Sequence, residues 1–145
     1  MNKSYIDWVE IDSLIFQLLY RIRTSNLKFK NIYGLPRGGL IPSVMLSHRL
    51  EIPLVKGDIG PDTLIVDDIC DSGETLDKFV EKYQTLYSFP FNLKTAVLHY
   101  KPHTSCFEPT FNAKKWNKND WLVYPWEKED SKTIQDYKIK VGNAN

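Results

Sequence analysis

Between Leu64 and Thr75 the chain reads Leu-Ile-Val-Asp-Asp-Ile-Cys-Asp-Ser-Gly-Glu-Thr, a continuous apolar run followed by two adjacent carboxylates and a short loop that carries hydroxyls. Asp67 and Asp68 suit the vicinal hydroxyls of a sugar. They equally suit Mg²⁺ held through water, because that ion takes few carboxylates and keeps its hydration. The stretch Asp71-Ser72-Gly73-Glu74-Thr75 offers backbone N–H groups at a helix N-terminus plus two hydroxyls, which is the chemistry of a phosphate monoester site. Phosphate next to diol describes a ribose 5-phosphate. Alone, Ser72 or Thr75 is an ordinary turn residue. The whole run carries the functional reading, because each part sits in the context its chemistry requires.

A second candidate lies upstream. Arg37 stands beside Gly38 and Gly39, giving a fixed cation and a close backbone approach, which fits a diphosphate. The competing reading is a plain turn with a solvated arginine. Later in the chain, Lys101 is either a surface lysine before Pro102 or a donor to a ligand. Trp121 is either core packing or a stacking surface. His48, His99, His103, Cys70 and Cys106 show no nucleophile–base or metal-ligand spacing and stay unassigned. The two cysteines form no C-x-x-C pattern and read as free thiols.

These groups need elements to hold them. Tyr5 to Ile11 reads as a strand or extended lead-in, and Asp12 as the N-cap of a helix with Leu14, Ile15, Leu18, Leu19 and Ile22 on one stripe. Phe29 to Leu35 reads as a strand running into the Pro36–Gly39 breaker, and Leu40 to Leu50 as a helix with Pro42 in its first turn. Pro53 to Val55 is a short strand and Lys56 to Pro61 a turn. Thr63 to Val66 is a strand buried on both faces, with the acidic pair at its carboxyl end. Glu74 to Tyr87 reads as a helix, Lys94 to Tyr100 as a strand, Trp121 to Tyr124 as an edge strand, and Ser131 to Asn145 as a polar tail. Alternating strands and helices predict an α/β domain with a mostly parallel sheet, where ligands bind outside the carboxyl ends of the strands.

At 145 residues, with 42% hydrophobic and 13% aromatic side chains, the chain has the length of one domain, residues 1–145, and enough apolar surface for a core. Nineteen basic against eighteen acidic side chains argue against a broad nucleic-acid surface. The apolar runs are too short to span a membrane, and the N-terminus lacks a signal-peptide core, which predicts a cytoplasmic protein.

The run Leu64–Thr75 resembles the 5-phosphoribosyl-1-diphosphate (PRPP) motif of type I phosphoribosyltransferases. Tyr33 to Pro42 looks like the diphosphate loop and following helix of the xanthine-guanine branch, Lys101-Pro102 like its purine-contacting lysine, and Asp120 to Glu127 like its late aromatic segment. The order of motifs matches over about the first 127 residues. The resemblance implies the type I fold with a small C-terminal hood-like segment, a homodimer or higher homo-oligomer, and Mg²⁺-dependent transfer of 5-phosphoribosyl from PRPP to guanine, xanthine or hypoxanthine. The products are a nucleoside 5′-monophosphate and diphosphate, in purine salvage.

The same resemblance implies roles residue by residue. Arg37 and Gly38 take the diphosphate, with an unusual peptide at Pro36–Arg37. Asp67 and Asp68 hold the ribose, Asp68 also the metal. Ser72, Gly73, Glu74 and Thr75 hold the 5′-phosphate. Asp71 takes or relays a proton at the purine imidazole, a role compatible with capping the helix. Lys101 donates to the 6-oxo group, Trp121 stacks on the base, and Leu122 acts through its backbone. Glu127 is either a metal-holding carboxylate or a solvated one. Arg37 and Asp71 are the catalytic pair.

Type I enzymes carry a long loop that closes over PRPP, and here Val55 to Thr63 leaves only a turn. Closure shields an oxocarbenium-like transition state from water. The short turn therefore keeps open an alternative, a catalytically weak or silent PRPP- or nucleotide-binding regulatory protein. A phosphoacceptor receiver domain, whose first strand also ends in an acidic pair, is rejected because the pair falls mid-chain.

Overall fold

The computed structural model describes residues 2–86 and 92–128; the last residue of the expected Glu74–Tyr87 helix and the tail 131–145 lie outside the described residues. Among the described residues, two sheets and three helices make up the architecture. A four-stranded sheet runs in the order β2 (Asn31–Gly34), β3 (Thr63–Cys70), β4 (Lys94–Tyr100), β5 (Phe111–Lys115), with every pairing parallel. Apart from it, β1 (Lys3–Tyr5) pairs in parallel with β6 (Trp121–Val123). Among the described residues no helix is long and apolar enough to cross a membrane.

Helix α1 (Trp8–Thr24) begins a turn earlier than expected. Asp7, not Asp12, is its N-cap, and its Oδ1 accepts the N–H of Glu10 at 2.8 Å. The stripe accordingly gains Ile11 ahead of Leu14, Ile15, Leu18, Leu19 and Ile22, all of them buried. Helix α2 (Leu40–Leu50) follows Gly39 and tolerates Pro42 in its first turn. Both helices pack on one face of the sheet, in a core with Ile32, Leu64, Val66, Ala96, Leu98 and Phe111. Helix α3 (Glu74–Leu86) covers the other face, where Leu76 and Val80 meet Leu35, Ile65, Val97 and Tyr100.

Strand β3 departs from expectation in a way that matters for the site. It does not stop at Val66 but runs through the acidic pair to Cys70, and its facing changes phase there. Leu64 and Val66 face the first core and Ile65 the second. Beyond the pair it is Ile69 that packs on the first core and Cys70 that joins the second. The carboxylates mark the change: Asp67 Oδ1 accepts the N–H of Asp68 at 2.8 Å, and Asp68 Oδ1 that of Ile69 at 2.7 Å. Strand β4 shifts in step, since Ala96 and Leu98 face the first core whereas Val97 and Tyr100 face the second.

Two other expectations are corrected. Trp121 to Tyr124 is not an edge of the main sheet, because its strand pairs with β1; the edge beside β4 is β5, whose Phe-Asn-Ala-Lys-Lys carries little strand signal. Pro53 to Val55 makes only a single bridge, Leu54 to Ile32, since the chain turns away immediately. The connection that follows is short, and its Ile59 is buried in the second core beside Leu35 and Ile65.

Candidate active site

Three loops leave the carboxyl ends of neighbouring parallel strands and converge: 35–39 after β2, 71–73 after β3 and 101–107 after β4. The first is held by Leu35 N–H on Val66 O at 2.9 Å and Gly39 N–H on Leu35 O at 2.8 Å. Its Pro36–Arg37 peptide is cis, as the resemblance implies. Arg37 is exposed and has no ion pair among the described residues. Gly38 lies so close to Asp68 that a methyl group there would collide with the carboxylate. The diphosphate-loop candidate and the sugar candidate therefore touch.

The second loop opens α3. Gly73 has φ +80° and is enclosed, so that a side chain would meet Ser105 Oγ and lie 2.8 Å from the N of Phe107. Ser72 Oγ accepts the N–H of Glu74 at 3.3 Å, and Asp77 N–H bonds Gly73 O at 2.9 Å. The first-turn N–H groups of Thr75 and Leu76 precede any intrahelical acceptor. Ser72, Glu74 and Thr75 are exposed. These residues form a helix start with open backbone N–H groups and exposed hydroxyls, and one expectation there is corrected. Asp71 does not cap α3, because its carboxylate is engaged elsewhere.

That engagement comes from the third loop. Lys101 is 4% exposed, and its Nζ donates to Asp71 Oδ2 at 3.2 Å and to Asp120 O at 2.9 Å. Two of its three N–H donors are thus taken. Thr104 Oγ1 donates to Asp71 Oδ1 at 2.9 Å, and Cys106 N–H to Ser72 O at 2.8 Å, so the loop buttresses both Asp71 and that helix start. Lys101 is therefore no surface lysine. No local sequence pattern marks Thr104, since its partner lies in another loop.

Trp121 and Leu122 approach from the two-stranded ladder. Trp121 is 40% exposed, so its indole is not core packing, whereas Leu122 is buried. Trp121 N–H bonds Asn2 O and Val123 O accepts from Ile6, so strand alternation turns the backbone groups of Leu122 to the opposite edge. Glu127 is not simply solvated: its Oε1 accepts the N–H of Tyr124 at 2.9 Å, and its charge acts on Asp68.

Electrostatics single out the acidic pair. Burial pushes Asp68 up to about 6, and the charge of Glu127 adds to that rise against opposing hydrogen bonds from Asp67 and the Ile69 N–H. Asp67 is raised well above the carboxylate range, by burial first and then by the charge of Asp68. Two crowded carboxylates of this kind favour a cation or hydroxyl donors between them. Both cysteines are free, Cys70 buried and Cys106 exposed. Burial and the charges of Lys114 and Lys101 lower His99 to about 4, leaving a neutral imidazole at pH 7.

No family model matches the chain. It is 26% identical to the xanthine-guanine phosphoribosyltransferase of Cereibacter sphaeroides over 152 aligned positions, covering 85% of this chain and 86% of that protein. Its structure is similar to the purine phosphoribosyltransferase of Pyrococcus horikoshii, with a TM-score of 0.75 and 32% identity over 92% of this chain and 99% of that one. The xanthine-guanine-hypoxanthine phosphoribosyltransferase of Helicobacter pylori, 15% identical, shares the fold at a TM-score of 0.72 over 99% of this chain and 100% of that one.

Proposed function

The chain belongs to the type I purine phosphoribosyltransferases, and from that premise we propose that it transfers 5-phosphoribosyl from PRPP to a 6-oxopurine in a Mg²⁺-dependent reaction. The observation that carries the choice of base is Lys101, a buried ammonium already held by Asp71 and Asp120 with one N–H left to give. That donor suits the 6-oxo group of guanine, xanthine or hypoxanthine. The 6-amino group of adenine would set donor against donor, a mismatch costing about 1–3 kcal/mol where it is buried.

In this reading the cradle Ser72-Gly73-Glu74-Thr75 holds the 5′-phosphate at the start of α3. Asp67 and Asp68 accept the ribose hydroxyls, while Arg37 and the backbone at Gly38 hold the diphosphate. The C1′–oxygen bond to diphosphate breaks, its electron pair leaving with the diphosphate, and a bond from the base nitrogen to C1′ forms. The proton displaced from the imidazole ring of the base passes to the Asp71 carboxylate, whose side chain is 44% exposed and can release it to water. Trp121 covers the base and the Leu122 backbone meets its edge. Most of the rate comes from holding base and C1′ in line and from charge placed on both sides of C1′.

The residues fit Mg²⁺. Among the described residues no three His, Cys, Asp or Glu side chains cluster as an all-protein cage. Mg²⁺ does not need one, because it is held by one or two carboxylates with water and substrate phosphates. Asp68, with Glu127 near enough to raise its proton affinity, is such a set. When bound, the ion neutralises charge on the diphosphate.

The decisive experiment follows diphosphate release from PRPP–Mg²⁺ with guanine, xanthine, hypoxanthine, adenine or no base. Release with the three 6-oxopurines is expected, with adenine poorest. A second expectation is measurable release without any base, because the Lys56–Pro61 connection is short and anchored by Ile59. Adenine as best substrate would overturn the base assignment. No release with PRPP binding intact would favour the silent regulatory reading.

Two further predictions arise from the same reading. Thr75→Ala removes one hydroxyl from the cradle and should weaken GMP by about 1–2 kcal/mol in calorimetry; unchanged affinity would exclude the cradle as the phosphate site. For Asp68 the sign follows from its raised pKa. Below about 6 the free protein carries a proton that ligand binding must displace, so PRPP–Mg²⁺ affinity should fall up to about tenfold per pH unit there. Above that value the Asp68 part of the slope should vanish. Asp68→Asn should bind more weakly and lose this part of the slope, a comparison that cancels titration of the ligand's own phosphates. Parallel pH curves for the two proteins would remove Asp68 from the ligand.

A further inference from the structure

Tyr124 and His99 take no part in the chemistry above, yet both are buried at the junction of all its parts. Tyr124 is 2% exposed and His99 0%. Tyr124 grips its own segment: its N–H donates to Glu127 Oε1 at 2.9 Å, its C=O accepts from Glu127 N at 3.0 Å, and its ring stacks on Trp126 with centroids 4.9 Å apart and planes parallel. Its hydroxyl crosses to the main sheet, 2.8 Å from His99 Nδ1 and 3.3 Å from the backbone O of Asp68.

One hydroxyl has one hydrogen, so the two contacts form together in a single arrangement. His99 Nδ1–H donates to the tyrosine oxygen, and the tyrosine O–H donates to the Asp68 carbonyl. That tautomer leaves His99 Nε2 as a bare acceptor, and it is buried with no hydrogen-bond partner; its ring stands edge-on to Trp116 at 5.5 Å. An apolar pair would fill the space without an orphaned nitrogen, so packing alone does not account for the polar one.

On the phosphoribosyl-transfer reading above, we infer that Tyr124, held by His99, is a positioning residue that fixes the base-covering segment against the sugar-holding strand. Lys101, just past the end of β4, binds Asp120 O, so β4 and the loop that follows it hold residues 120–124 at two points. Without the tyrosine link the segment keeps its hold at Asp120, through Lys101 and through the Trp116 Nε1–H on Asp120 Oδ1 at 3.2 Å, and pivots there, so Trp121 shifts relative to Asp68. The phosphate cradle is untouched by that pivot, because it hangs on Gly73 and the 101–107 loop. The loss therefore falls on the base and on its alignment with C1′, where small misplacements cost rate.

The test uses Tyr124→Phe, which deletes one oxygen and keeps the stacked ring, and His99→Leu, singly and together in the full chain. Affinities for GMP and ribose 5-phosphate are measured by calorimetry, and kcat and KM for guanine by turnover, at a temperature where every variant is folded. Each single variant should lose about tenfold in GMP affinity and in kcat/KM for guanine, with ribose 5-phosphate within about twofold. The double variant should be no worse than Tyr124→Phe alone, because deleting the hydroxyl already removes its bonds to both His99 and Asp68. His99→Asn, whose amide can stand where Nδ1 stood, should recover most of the loss. Equal losses for GMP and ribose 5-phosphate, additive effects, or wild-type values in Tyr124→Phe would overturn the inference. A wild-type protein that binds GMP without turnover would instead overturn the transfer reading, and the GMP to ribose 5-phosphate ratio still decides the positioning role.

Discussion

Lys101→Met is expected to lower kcat/KM for guanine about 10²- to 10³-fold while leaving PRPP–Mg²⁺ affinity within about threefold of wild type. Methionine keeps the length and apolar stem of the buried side chain and removes only the ammonium. Three interactions go with it: the bond to Asp71 Oδ2, the bond to Asp120 O, and the donor offered to the 6-oxo group. Asp71 is part-exposed and keeps Thr104 as a partner, so the loss of the ion pair itself is damped by water and should destabilise the fold only modestly. The base suffers twice, because its oxo group loses its donor and Asp71 loses its orientation. Losing a charged hydrogen bond and a placed proton acceptor together accounts for about 3–4 kcal/mol in the transition state. Preference for guanine over adenine should collapse in the same variant, since nothing then distinguishes an oxo from an amino group at that position. A variant that still discriminates against adenine would show that another group reads the base, and equal losses in PRPP affinity would make Lys101 a structural residue.

How much of this the amino-acid sequence carries follows from how local each feature is. The cradle and acidic pair are contiguous between Asp67 and Thr75, so strand, loop and helix start are read from one segment, and the structure brings them together at the carboxyl end of the sheet. The stripe Leu14–Ile22 is equally plain in the sequence, but the helix start is not. Asp7 and Asp12 are both competent caps, and the choice falls to Asp7, whose carboxylate reaches the Glu10 N–H and whose helix gains Ile11 in the core. Features made by distant pairings were not legible. Strand β5 is short and half polar, and its place depends on β4 beside it. β6 reads as an ordinary edge strand until Lys3–Tyr5 is found alongside it. The phase change in β3 has no periodic signal, because it is made by carboxylates capturing their own neighbours' N–H groups. Lys101 with Asp71, Thr104 with Asp71, and His99 with Tyr124 are likewise meetings of loops that only the folded sheet assembles.

Gly38→Ala should be the second severe substitution, raising the Kd for PRPP–Mg²⁺ about 10- to 100-fold and lowering kcat/KM by at least about 100-fold. The added methyl would be built into the Asp68 carboxylate. That carboxylate has little room to yield, because its Oδ1 holds the Ile69 N–H at 2.7 Å within a paired strand. Either the Arg37 loop lifts or Asp68 rotates away from its backbone bond, and both moves separate the diphosphate candidate from the sugar candidate. Displacements of an ångström between reacting groups are enough for a hundredfold loss in rate. Overpacking at a close contact costs stability by about 1–3 kcal/mol when the strand gives way, and less when the exposed loop does. Gly57→Ala is the matched control, since nothing lies within 4 Å of a methyl there, and it should bind and turn over as wild type. Loss in both variants would point to a general sensitivity to removing glycine. Loss in Gly38→Ala alone, with GMP affinity less affected than PRPP affinity, would tie the damage to the diphosphate side, where GMP has no group to misplace. Wild-type behaviour in Gly38→Ala would mean that the loop and Asp68 act on the ligand independently, and their close contact would then have no bearing on catalysis.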